Sequence, residues 1–168
     1  RDLVRSRGLG DVYKRQLVGR SSSWGWATWK DRWEQIDWDI QDWNEFSSNK
    51  QMRRAFNKNG SDMYSMLKGY MEGKNHSWAI RFCYNQFKLG KYSICPFISK
   101  VDNIGFGEEA TNCKQRYSRF KVNMDIAHSH EFLFEKDIES NKRIEKLCYR
   151  YHSITLRLYS KIRKTLHI

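Results

Sequence analysis

The sequence predicts an α/β chain that is mostly helical, with a small remnant of a mixed sheet. Three observations lead there. Apolar residues recur at helical 3–4 spacing through residues 61–89 and again from residue 135 onward. The β-type runs are few and short, at residues 17–19, 92–95 and 98–106. Pro occurs once, at Pro96, so little interrupts the helical stretches.

Taken in order, residues 17–19 suit the tail of a strand. Ser21, Ser22 and Ser23 offer hydroxyl caps for a helix over residues 24–36. The alternation Ile36-Asp37-Trp38-Asp39-Ile40 makes a turn or short extended piece. Residues 42–46 and 49–57 suit short helices ended by Asn59-Gly60. Ser61-Asp62 can cap a helix through Glu72 with Met63, Met66, Leu67 and Tyr70 on one face, and Gly73 stops it. Ser77 caps a helix over residues 78–89 with Trp78, Phe82 and Phe87 on its apolar face, and Gly90 ends it. Residues 92–95 form a strand that leaves the sheet at Pro96, and residues 98–106 form a second extended run. Residues 108–119 are a polar loop. The longest helical pattern spans residues 135–168, with Ile144, Leu147, Tyr151, Ile154, Leu158 and Ile162 in step.

With 168 residues the chain suffices for one domain with a core. A hydrophobic content of 39% and a mean hydropathy of −0.84 are low, but 15% aromatic residues argue against disorder. The formal net charge of +12 favours anionic partners without choosing among them. Cys83, Cys95, Cys113 and Cys148 show neither a C-x-x-C pair nor metal-ligand spacing, which points to reduced thiols in a cytoplasmic chain, with a disulfide framework as the alternative. No apolar run approaches the roughly 20 residues that cross a bilayer. Residues 1–16, RDLVRSRGLGDVYKRQ, have no periodicity and resemble a translated adapter or assembly scar, so the native chain is expected to start at Leu17, inside a longer protein.

The densest feature is Ser22-Ser23-Trp24-Gly25-Trp26-Ala27-Thr28-Trp29-Lys30-Asp31-Arg32-Trp33, followed by Trp38 and Trp43. Indoles crowded beside Gly25 and Ala27 suggest a flat aromatic wall with close backbone approach, suited to the C–H faces of sugars. The competing account is a buried helix face, because Trp26, Trp29 and Trp33 stand at i, i+3 and i+7.

Three blocks, SSWGWATWKDRWEQIDWD (22–39), SWAIRFCYNQFKL (77–89) and KYSICPFISKVDNIGFGEEATNC (91–113), together resemble nucleotide-sugar glycosyltransferases of the family 2 type, with the GT-A fold. Their order is similar to the acceptor-side half of bacterial transferases of surface-polysaccharide assembly, and more distantly to the eukaryotic N-acetylglucosaminyltransferase I group. The resemblance covers residues 17–119. It implies a truncated GT-A domain: residues 17–120 as its C-terminal half, then a linker and a basic amphipathic helix over residues 121–168. It further implies sugar transfer from a nucleotide diphosphate donor to a glycan or lipid-linked acceptor, assisted in the full-length enzyme by a divalent cation, Mg or Mn. Trp24, Gly25, Trp26, Trp29, Trp78, Gly105 and Phe106 would line the sugar pocket, with an ordinary strand-to-loop exit as the alternative for Gly105 and Phe106; Arg81 could pair with the diphosphate or be a surface Arg on an amphipathic helix.

The chain departs from that pattern. The nucleotide-binding half does not precede the Trp run within these residues, so this stretch alone is expected to be inactive and to hold no metal tightly. Asp37-Trp38-Asp39 matches Asp-x-Asp formally, yet follows no apolar strand, and a structural turn accounts for it better. Ala79 stands where relatives carry a carboxylate, leaving Asp62, Asp102, Glu108 or Glu109 as the base. Asn112 stands where many relatives carry a metal-binding His. His76, and the pair His128 and His130, are read as loop residues, with base or metal roles as the alternatives. The basic residues of the last helical stretch could rest on an anionic inner membrane, or the helix could pack on the domain with its charges in water. Two other function classes compete: a basic, aromatic nucleic-acid-binding module and a non-catalytic carbohydrate-binding module. Clustering of the tryptophans, rather than interleaving with Lys and Arg along strands, disfavours nucleic acid.

Overall fold

The computed structural model describes residues 15–96, 98–102, 124–125 and 142–165. Over these it is mostly helical with a two-stranded antiparallel sheet. β1 (Arg15–Val18) pairs with β2 (Ser93–Pro96), with Leu17 opposite Ile94. β1 therefore begins two residues inside the stretch read as foreign. The extended run expected over residues 98–106 shows, in its described part, one parallel bridge, Ser99 to Met124, tightened by the ion pair of Lys100 with Asp125.

Between the strands lie α1 (Lys30–Glu34), α2 (Trp43–Ser48), α3 (Lys50–Phe56), a 3-10 turn (Asn57–Asn59), α4 (Met63–Met71) and α5 (Trp78–Lys88). α2 to α5 follow the sequence expectation, helped by the cap or stop residues of α3, α4 and α5. Asn49 caps α3, its side chain accepting from the N–H groups of Gln51 and Met52. The Ser77 hydroxyl accepts from the Ile80 N–H at the start of α5. Gly73 and Gly90 end their helices in the left-handed region, at φ 70° and 62°. Asp62 precedes α4 without capping it, because its carboxylate is bonded elsewhere.

The core sits among α2, α3, α4 and α5. Phe46, Phe56, Met63 and Leu67 are fully buried, with Ile40 and Tyr84 nearly so. Phe46 and Tyr84 meet edge-on with ring centres 4.7 Å apart, and Phe56 meets Tyr84 at 90°. The Tyr84 hydroxyl donates to Asp42 at 2.8 Å, and Lys88 lies 2.9 Å from the same carboxylate oxygen. Burial and the neighbouring Asp42 push the Tyr84 hydroxyl pKa up, so it remains a donor. Ile40 enters the core at φ 54°, a strained backbone for a β-branched residue, held there by near-complete burial.

The helix expected over residues 24–36 forms only from Lys30. Gly25 takes φ +53°, and Trp29, the N-cap, is extended. The expected single C-terminal helix is divided, within its described part, into α6 (Lys142–Tyr151) and α7 (Ile154–Thr165). The break is fixed at the core: the Ser61 N–H and hydroxyl both donate to the His152 carbonyl, the latter at 2.7 Å.

Candidate functional site

α5 is the scaffold of the candidate site. Its residues Trp78, Arg81, Phe82 and Asn85 stand at i, i+3, i+4 and i+7 and share one side. Asn85 clamps the turn after α1. Its Oδ1 accepts from the Asp37 N–H at 2.9 Å, and its Nδ2 donates to the Asp37 carbonyl at 2.9 Å. Asp37 itself closes that turn, its two carboxylate oxygens accepting from the N–H groups of Asp39 and Gln41. Asp37-Trp38-Asp39 is thus a structural turn, and its Asp-x-Asp appearance follows from this capping.

On this clamp four indoles gather. Trp26 stacks on Trp78 with ring centres 4.9 Å apart and planes 28° from parallel. Trp33 lies 4.6 Å from Trp38 and 6.0 Å from Trp26. Phe82, nearly buried, closes the floor 5.3 Å from Trp26. The i, i+7 spacing of Trp26 and Trp33 does bring the rings together, but across a loop rather than along a helix. Among the described residues the cluster is open at Trp33, which is 41% exposed; Trp29, the N-cap of α1 four residues before it, is 71% exposed and forms no ring pair with the four indoles.

Gly25 joins a third part of the chain to this wall. A Cβ at Gly25 would lie 2.5 Å from the Val101 Cγ1, so the tight approach requires glycine at that position. Asp102, the next residue after Val101, is exposed. A separate buried network draws the same segments together. Ser21 Oγ lies 2.6 Å from both Gln86 Oε1 and Ser93 Oγ, and Gln86 Nε2 donates to Ser93 Oγ at 2.8 Å. Residues 24–38, 78–85 and the described start of 91–113 thus meet around one indole cluster.

The chain matches no family model, no curated protein and no solved structure.

Arg81, expected at a diphosphate, has a structural task here. Its guanidinium donates to the Trp38 carbonyl at 3.0 Å and lies 4.4 Å from the Tyr70 ring centre and 5.2 Å from that of Trp38. Asp62, one of the four candidate bases, is committed to Arg20 through two hydrogen bonds of 2.7 and 3.2 Å. Burial raises its pKa, but the Arg20 hydrogen bonds and charge outweigh that and hold it below the ordinary carboxylate range. A carboxylate so stabilised is a poor proton acceptor. His76 is exposed in the loop before Ser77. Gly105, Phe106, Glu108, Glu109, Asn112, Cys113, His128 and His130 lie outside the described residues.

Among the described residues no group of three or more His, Cys, Asp or Glu could hold a metal ion, so the fit to a divalent cation fails for this part of the chain. Spacing alone did not reveal Tyr70 beside Arg81, the Ser21–Gln86–Ser93 network or the Gly25–Val101 approach. The only cue was polar residues, Asn85 and Gln86, on a helix that otherwise buries Phe82, Cys83 and Tyr84.

Proposed function

We propose that the indole wall is the acceptor-side sugar platform of a nucleotide-sugar glycosyltransferase of the family 2 type, working in surface-polysaccharide assembly. The observation that supports this reading is the convergence of residues 22–39, 77–89 and the described start of 91–113 on one cluster, with Trp29 and Trp33 left open. In this reading the exposed indoles stack on the C–H face of an acceptor pyranose, while Asp102 at the rim accepts the proton of the attacking hydroxyl. Trp26, Trp78 and Phe82 hold the platform from below, and Arg81 keeps Trp38 in place. The donor would be a nucleotide diphosphate sugar held, together with any divalent cation, by a donor-binding half that the described residues do not form.

The test is a titration of the chain with neutral oligosaccharides, read by tryptophan fluorescence. Saturable quenching that Trp29→Ala removes is the expected result. A glycan panel that leaves the emission unchanged, while single-stranded DNA quenches it, sinks this reading in favour of nucleic acid. Turnover separates the transferase from a non-catalytic sugar-binding module. A longer chain carrying the donor half should consume a nucleotide sugar in an Asp102-dependent way, whereas the 168-residue chain should not.

A further inference from the structure

The C-terminal helices have two faces with different tasks. On α6, the half-buried Ile144 and Cys148 face the domain, and Lys142, Arg143, Lys146 and Arg150 share the opposite, exposed side. On α7, Leu156 and Ser160 turn inward, the latter buried. Arg157 Nη1 reaches Ser61 Oγ at 3.4 Å, so α7 is docked on the domain. Its outer side is apolar. Ile154, Leu158 and Ile162, one turn apart, are 60%, 55% and 56% exposed, and Tyr159 beside them is 54% exposed. A shallow depression on that face is lined by Leu158, Lys161, Ile162 and Thr165.

We propose that α7 lies flat in the headgroup region of an anionic bilayer, with Ile154, Leu158 and Ile162 dipped toward the acyl chains. The charge pattern selects this occupant. α7 contains Arg157, Lys161, Arg163 and Lys164 and no acidic residue. By helical geometry, exposed Lys161 borders the apolar stripe on one side and Tyr159 on the other, while Arg157 is engaged with Ser61. That is the arrangement of an in-plane helix: an apolar stripe, cations at headgroup depth, and an aromatic hydroxyl at the boundary. A second copy of the same face would oppose cation to cation. A nucleic acid would meet aliphatic side chains that neither stack nor hydrogen-bond. Among the described residues no helix is long and apolar enough to cross a membrane, so contact through α7 would be peripheral. The basic face of α6 adds to the same attraction, each cation near the surface contributing about 1 kcal/mol. This inference stands whether or not the indole wall takes a sugar.

The experiment is co-sedimentation of the whole chain with vesicles of phosphatidylcholine alone or mixed with phosphatidylglycerol. Binding to the mixed vesicles only, weakened by salt, is expected. The double variant Leu158→Asp/Ile162→Asp changes two exposed positions and should keep the wild-type circular dichroism. It should lower partitioning about a hundredfold, through loss of two inserted side chains. Lys161→Gln should lower it about fivefold. Three results would overturn the proposal: no association with phosphatidylglycerol vesicles, association that the double variant leaves intact, or a dimer in solution that the double variant dissolves.

Discussion

The molecule has two aromatic clusters of opposite character. In the first, Phe46, Phe56 and Tyr84 are sealed among α2 to α5, and their rings meet edge-on. In the second, Trp26, Trp38 and Trp78 are half-buried about α5, Trp33 is 41% exposed, and α1, which carries Trp33, buries no residue. The same helix serves both: Tyr84 on one side, Trp78 and Phe82 on the other. The difference lies in what delivers the rings. The sealed cluster comes from four successive helices, α2 to α5, of which α3 and α5 carry side-chain caps. The open one comes from a loop bent at Gly25 and a single-turn helix. Aromatic density is therefore no guide to burial in this chain; the backbone that carries the ring decides.

The largest effect that would sharpen this contrast is in the sealed cluster. Phe46→Ala leaves a cavity where five aromatic neighbours converge and should destabilise the chain by about 3–5 kcal/mol, measured by urea unfolding. If it costs no more than an exposed substitution, the cluster is not a core.

Next is the ion pair that fixes β1 to α4. Arg20→Ala would strand the buried Asp62 carboxylate and should cost about 3 kcal/mol near neutral pH. The pH dependence follows from the lowered Asp62 pKa. A carboxyl held below its unfolded value contributes stability that is fully present above that value and is lost as pH falls through the folded one. The wild type should therefore lose stability on acidification below the ordinary carboxylate range. The gap between wild type and Arg20→Ala should narrow there, since protonation removes the stranded charge. A gap independent of pH would mean that Arg20 acts through packing alone.

Gly25→Ala probes the hinge of the open cluster. It forces a left-handed backbone on a residue with a Cβ, and that Cβ meets Val101. The expected cost is about 1–2 kcal/mol, with a shift in tryptophan emission as the wall separates from residues 99–102. An unchanged spectrum would detach Asp102 from the site.

What was legible in the sequence follows the same division. α2 to α5 were readable because caps, stops and 3–4 spacing agree at Asn49, Ser77, Gly73 and Gly90. The Asp37 turn was readable for a similar reason: carboxylates at turn positions bond to nearby N–H groups. Residues 24–29 were misread as helix because tryptophans at i, i+3 and i+7 imitate a helix face, while the deciding contact, Gly25 with Val101, is far away in sequence. Arg81 was left between a diphosphate and a surface role because its local sequence says nothing of Tyr70 or the Trp38 carbonyl. The C-terminal stripe was read as one helix on periodicity alone, yet Leu147, Tyr151, Ile154, Leu158 and Ile162 all remain exposed. Periodicity shows that a helix has an apolar face; it does not show what that face meets.

The smallest effect on stability should come from the residue on which the proposed function rests most. Trp29 is 71% exposed, and its contribution to the fold is made by its carbonyl, which accepts from the N–H groups of Arg32 and Trp33. Alanine retains that carbonyl, so Trp29→Ala should shift unfolding by no more than about 0.5 kcal/mol. A ring left in water by the fold but used to stack a sugar should be missed only in binding, by about tenfold for one lost stacking contact of about 1–1.5 kcal/mol. Denaturation and glycan titration on the same variant therefore give opposite answers if the wall is a platform. If stability falls and binding does not, Trp29 belongs to the sealed kind of aromatic after all, and the openness of the second cluster carries no function.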